Sequence, residues 1–163
     1  MSEQLAAEGA GVITGGVVGA AAALVAMAAR HSDEWPEASA VLGQAESLQR
    51  RAERLAAENA RRYAVVLRAF AGEGDLGQAL DQAAETPLRL AEAANDVALL
   101  AVYTAERCEP RLRADVLAAA SLAAGAARAA AELVAANLAA TAEDERVARA
   151  WELAAATAAA IRP

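Results

Sequence analysis

The chain has 163 residues, of which 53 are Ala; all 15 cations are Arg, 22 residues are Asp or Glu, and the net charge is −7. Two Trp, two Tyr and one Phe are too few for a β-sandwich or barrel, whose strands need β-branched and aromatic side chains. Ala is the best helix former, so the class is all-α, and the acidic balance excludes the cationic footprint of a nucleic-acid binder. A lone Cys108 excludes an internal disulfide and a cysteine metal cluster, and a lone His31 excludes a multi-histidine site. A reducing, cytoplasmic location is expected, because cysteine is so sparse and the opening Met-Ser-Glu-Gln lacks the basic start of a secretory signal.

Taken in chain order, residues 2–8 are expected to form a short helical turn, and glycines to break the chain up to about Gly16. An Ala-rich helix then runs to Arg30. Gly9 to Ala29 is uncharged and long enough to span a bilayer, and Gly11, Gly15 and Gly19 repeat at a spacing that lets helices approach closely. Val, Ile and Leu contribute only roughly −0.3 to −0.6 kcal/mol each at a bilayer centre, and no aromatic belt flanks the run. A buried helix of a soluble protein, with no membrane partner, is therefore expected.

Ser32 or Asp33 with Pro36 marks the next start. The long helix that follows, about 36–70, carries Leu42, Leu48, Leu55, Val66 and Phe70 on one stripe. Residues 71–75 form a loop. A further helix from Asp75 has Leu76, Leu80, Ala83, Leu90, Val97 and Ala101 as its apolar face, with a kink or break expected at Pro87. Cys108-Glu109-Pro110 makes a turn. Helices over about 110–140 and 142–161 complete the chain, the last with Glu143, Asp144 and Glu145 complementing its dipole. Residues 1–163 read as one domain, an antiparallel helical bundle of five to six helices. So much Ala gives a thin core, so a second copy is expected to cover the Gly/Ala faces, adding apolar burial at about 25 cal/mol per Å².

These elements, in this order, resemble the formiminotransferase-cyclodeaminase C-terminal domain family, with its stand-alone cyclodeaminase and methenyltetrahydrofolate cyclohydrolase relatives. The resemblance rests on the Gly-rich start leading into Ala22–Met27, on Tyr63–Phe70, on Glu85–Glu92 with its Pro-Leu step, and on Pro110–Asp115 followed by Val116 and Ala118-Ala119. It also rests on Asn137-Leu138 falling 22 residues after Asp115. The resemblance implies an antiparallel homodimer that takes a tetrahydrofolate derivative as substrate and needs no metal. Its reaction would be closure of 5-formiminotetrahydrofolate to 5,10-methenyltetrahydrofolate with loss of ammonia, or hydration of the methenyl ring. N10 attacks the formimino carbon and the leaving nitrogen must be protonated, for which one positioned carboxylate suffices.

Asp115 matches the family's Asp and is the candidate catalytic group. It shares a helical face with Leu122, Ala126 and Leu133 and is expected to point inward; the plainer reading is a first-turn Asp favoured by the helix dipole. The family's Pro-Gly-Gly-Gly-Ser falls on Gly9–Val12 or on Thr14–Val17, which makes Gly11, Gly15 and Gly16 candidate substrate-binding positions, against a plain helix-packing role. Asn59 and Asn137 are further substrate-binding candidates, each weighed against use as a structural amide. Twenty-two residues at about 1.5 Å each put Asn137 roughly 33 Å from Asp115, so the two can serve one site only across a dimer interface. His31 reads as a surface residue and Cys108 as an unactivated thiol. Arg50, Arg51, Arg54, Arg61 and Arg62 read as a solvated face from which one could meet a folate's glutamate tail. Arg111 stands for a family Asn, Ala114 for a Ser, and the family's lysines are missing. The alternative is therefore a catalytically degenerate member serving as a helical binding or assembly module.

Overall fold

The computed structural model describes residues 9–139 and 143–161. The short turn expected over residues 2–8 lies outside the described residues. Among them there are five α-helices and no strand: α1 Ala10–Arg30, α2 Ala38–Phe70, α3 Leu76–Ala105, α4 Arg113–Asn137 and α5 Glu145–Ala160. A 3-10 turn, Pro110–Leu112, leads into α4. The all-α class stands.

The core is a lattice of small side chains, with Ala21, Ala28, Ala45, Ala52, Ala94, Ala101, Ala119 and Ala127 fully buried. A few larger residues, Leu55, Leu90, Val18, Val25, Val97, Val116 and Val134, fill the gaps between them. Each buried Leu or Val contributes roughly 1.5–3 kcal/mol; the alanines contribute less each and act by letting helix axes come close. α1 packs on α2 and α4, α3 packs on α2 and α4, and α5 closes one side against α3 and α4.

Glycine does not interrupt α1, contrary to expectation: one continuous helix of 21 residues begins at Ala10 and contains Gly11, Gly15, Gly16 and Gly19. Packing overrides the roughly 1 kcal/mol penalty of each helical glycine. At Gly15 an added Cβ would lie 2.8 Å from the Ala56 Cβ, so the helices meet there at backbone range. Gly9 caps the helix at φ 78°, a left-handed conformation that suits glycine.

α3 passes unbroken through Pro87, where a kink or break was expected; buried neighbours on both sides hold the helix together. Phe70, expected on the buried stripe of α2, is 66% exposed, because the last turn of α2 buries Val66 and Ala69 against Ala79 and Ala83 of α3 and leaves Phe70 on another side. Asp75 caps α3 by accepting from the Gln78 N–H and Asp144 caps α5 by accepting from the Arg146 N–H. Ser32 does not cap α2; its hydroxyl donates to the Ala28 carbonyl and accepts from the Glu109 N–H, tying the α1 end to the α3–α4 connection. The first turns expected for α2, α4 and α5 begin two to three residues early relative to Ala38, Arg113 and Glu145.

α1 and the Pro110–Asn137 segment are long and apolar enough to cross a membrane by length and composition. In the bundle more than half of the most apolar window of α1 is buried against the other helices.

Candidate functional site

The start of α1, the second half of α2, the first half of α3 and the last turns of α4 meet around a narrow cleft of about 100 Å³. Gly9, Gly11, Asn59, Tyr63, Pro87 and Asn137 are among its lining residues. Asn59 is buried, 8% exposed, and lies against Gly11 so closely that a Cβ at position 11 would collide with its carboxamide. Gly11 is therefore what gives the Asn59 amide its place. Tyr63, one turn further along the same face of α2, lays its ring against Gly9, 3.2 Å from where a Cβ would stand.

The side chains of Asn59, Tyr63 and Asn137 make no hydrogen bond to another described residue, although Asn59 is only 8% exposed. Each carboxamide offers a donor and an acceptor, and the phenol offers both. Native interiors rarely leave such groups unpaired, so the cleft is a set of preformed hydrogen-bonding positions. No charged side chain lines it among the described residues. It can hold and orient a flat polar heterocycle, but it carries no carboxylate or imidazole to move a proton.

The structure thus brings together Gly11, Asn59 and Asn137, three of the positions singled out from sequence. Gly15 lies outside the cleft, packed on Ala52 and Ala56, and Gly16 faces open space. Asp115 stands in the first turn of α4, at the opposite end of that helix from Asn137. It is exposed rather than inward, which corrects the face assigned from the helical wheel. Leu122 on that face is 43% exposed and Leu133 half-buried, while Ala126 is buried, so the chain's own core covers the stripe only in part.

The outer surface of α1 and α4 has bare positions along its length, near Asp115 and, at Ile13 and Gly16, toward the cleft end; exposed apolar side chains also stand on α2 and α3, at Phe70, Leu99 and Tyr103. Ile13, Leu117 and Leu122 are exposed, and a Cβ at Gly16 or Gly125 would meet nothing within 4 Å. On the α2–α3 side the arginines are tied instead. Arg51 pairs with Glu92 and Asp96, and Arg89 and Arg62 pair with Glu58. Arg54 and Arg61 have no acidic partner among the described residues and share a surface hollow with Arg51 and Arg89.

His31 is exposed. Cys108 is buried, and burial pushes its thiol up from the ordinary range. No three His, Cys, Asp or Glu side chains among the described residues gather where they could hold a metal ion. Sequence reasoning missed Tyr63 as a lining residue; its spacing of four from Asn59 was the available signal. Nor did the sequence show that Pro87 and Leu133 wall the same cleft, because that requires α3 and α4 to be placed beside α2.

The family model for formiminotransferase-cyclodeaminase matches residues 1–157. The crystal structure of formiminotetrahydrofolate cyclodeaminase from Thermotoga maritima superposes with a TM-score of 0.82 at 24% identity, covering 98% of this chain and 85% of that one. At that identity the likeness is one of fold. No curated protein matches the chain.

Proposed function

The chain belongs to the formiminotransferase-cyclodeaminase family, and on that footing we propose that it is a folate-dependent cyclodeaminase acting as a homodimer. The reaction is closure of 5-formiminotetrahydrofolate to 5,10-methenyltetrahydrofolate with release of ammonia. The observation that carries the reading is the cleft itself: Asn59, Tyr63 and Asn137 stand unpaired around a slot with no charge, which suits the neutral, flat, donor-and-acceptor edge of a pterin.

The acid/base group then has to come from outside the cleft. Asp115 and Asn137 lie 22 residues apart on α4, roughly 33 Å along its axis. If α4 of one copy runs antiparallel to α4 of another, Asp115 of the second copy comes beside Asn137 of the first. The bare surface of Ile13, Gly16, Leu122 and Gly125 is where the two copies would meet. Exposed mid-helix glycines weaken a helix and help the fold only if another surface approaches closely. In this arrangement the cleft orients the substrate, N10 attacks the formimino carbon, the N10 proton passes to the imino nitrogen, and Asp115 delivers the second proton with which that nitrogen leaves as ammonia. Arg54 and Arg61, the untied arginines of the solvated face, are the ones free to meet the anionic tail of the folate. α1 is then a core helix of a water-soluble, cytoplasmic enzyme, which recovery in the soluble fraction without detergent tests.

The decisive assay follows methenyl absorbance when the purified protein meets 5-formiminotetrahydrofolate, with Asp115→Asn alongside. Turnover in the wild type and its loss in the variant support the reading; equal turnover in both removes Asp115 from it. The missing lysines and altered glycines favour a second reading, a binding relative without activity. Folate binding by calorimetry with no turnover in either protein would select it.

A further inference from the structure

One turn of α3 departs from what the other buried hydroxyls do. Thr14, Ser32, Thr104, Ser121 and Thr157 each donate their hydroxyl to the carbonyl four residues back. Thr86 is fully buried and its hydroxyl has no partner. The next residue, Pro87, has no N–H, so the Ala83 carbonyl loses the donor that a regular helix supplies. One unpaired hydroxyl and one carbonyl without its ladder donor thus fall within one turn, in a helix that nevertheless runs on without a break. Ala83 and Pro87 both line the cleft, whereas Thr86 does not.

We infer that Pro87 serves to free the Ala83 carbonyl as a ligand-facing acceptor, and that this acceptor makes the cleft select the amino-bearing edge of an aminopyrimidinone ring. The inference rests on the folate reading above and specifies how its flat end is recognised. Apart from this carbonyl, the α3 wall of the cleft offers only the apolar side chains of Ala83 and Pro87. A pterin edge presents an amino group and a ring N–H beside a carbonyl, and so needs acceptors as well as donors. Asn59 and Asn137 offer both kinds, and a peptide carbonyl adds an acceptor that keeps its character at every working pH. A ring lacking the amino group leaves that carbonyl dry and unpaired, and a site built to pair a polar group rejects the analogue that lacks it.

The test is titration calorimetry with two probes, pterin (2-amino-4-oxopteridine) and 4-oxopteridine, which lacks the amino group. The wild type is expected to bind pterin at least tenfold more tightly. In Pro87→Ala the ladder donor returns and the ratio is expected to fall to within twofold, with helix content intact by circular dichroism. A merely structural role for Pro87 would move both affinities together and leave the ratio alone. In the wild type the Ala83 carbonyl ¹³C resonance should shift with pterin and stay put with 4-oxopteridine. Equal binding of the two probes, binding of neither, or a preference that survives Pro87→Ala overturns the inference. So does loss of the preference in Thr86→Val, which would assign it to the hydroxyl. Methenyl formation from 5-formiminotetrahydrofolate without any pterin preference defeats this inference and leaves the functional reading standing; a pterin preference without turnover does the reverse.

Discussion

The α2–α3 surface and the α1–α4 surface of this bundle are made of the same helix formers and treat water differently. Across the first, Arg51 reaches Glu92 and Asp96, and Arg89 reaches Glu58, so charges lace the seam between two helices. Across the second, Ile13, Gly16, Leu117, Leu122 and Gly125 stand open, with Asp115 at one end. The first surface also exposes Phe70, Leu99 and Tyr103, but there guanidinium–carboxylate pairs already span the seam between the two helices. The second surface has bare positions and, among the described residues, no such pairs, so the contrast marks α1 and α4 as the side on which the proposed second copy would pack.

The sharpest way to break that comparison is at Asp115. Replacing it with Asn keeps the shape and removes the proton, so turnover should fall by about 10²- to 10⁴-fold, the range of a positioned acid/base group. Sedimentation of the variant should still show a dimer. Loss of dimer and activity together would mean that Asp115 holds the interface rather than the chemistry.

Leu122→Arg attacks the same face without touching a reacting group. A charge forced into an apolar interface should yield a monomer at micromolar concentration by sedimentation velocity, and turnover should disappear with the dimer. Arg51→Ala is its counterpart on the laced side. Exposed pairs are worth roughly 0–1 kcal/mol each, so a small loss of thermal stability with unchanged dimer and activity is expected. If Arg51→Ala dissociates the dimer and Leu122→Arg does not, the two faces have been assigned the wrong way round.

Asn59→Leu sharpens the reading of the cleft. The side chain keeps its volume and loses its donor and acceptor, so substrate affinity should weaken about tenfold, equivalent to roughly 1.4 kcal/mol for one lost hydrogen bond. The effect should appear mainly in KM, because holding the pterin end is binding common to substrate and transition state. A fall confined to kcat would place Asn59 in the chemical step.

The sequence exposed the helices well, because composition and the spacing of Leu48, Leu55, Leu90 and Val97 leave little choice. Part of the cleft was legible too. Gly11, Asn59 and Asn137 could be named one by one, through the resemblance and through polar residues breaking an apolar pattern, but their meeting depends on how α1, α2 and α4 cross. Asp115 was placed on the right helix and the wrong side, since a helical wheel finds an apolar face without saying which body covers it. The glycines of α1 were read as chain breakers because propensity is local, while the Ala56 and Asn59 contacts that keep them helical lie more than 40 residues away. Proline in α3 misled for the same reason: buried neighbours of Pro87 carry the helix through a site that its own backbone chemistry weakens.

The smallest expected effect concerns α5, which neither of the compared faces contains. Arg146 binds Asp144 at the cap and crosses to Asp81 and Glu85 on α3, so one guanidinium fastens the start of the helix. Hydrogen bonds from the Arg146 side chain and backbone hold the Asp144 carboxyl down, from 3.8 to about 2. A carboxyl whose pKa is lower folded than unfolded stabilises the fold above the unfolded value and loses that contribution as pH falls through the folded one. Between about pH 4 and pH 2 the start of α5 should therefore loosen, and amide exchange over residues 145–150 should speed up before exchange in α1 does. Asp144→Asn should remove this pH step and leave the oligomeric state unchanged. If α1 and α5 loosen together across that window, the acid-sensitive contacts are shared through the core, and the start of α5 is not separable, being held also through Thr157 on Asn95 and Trp151 under Arg128.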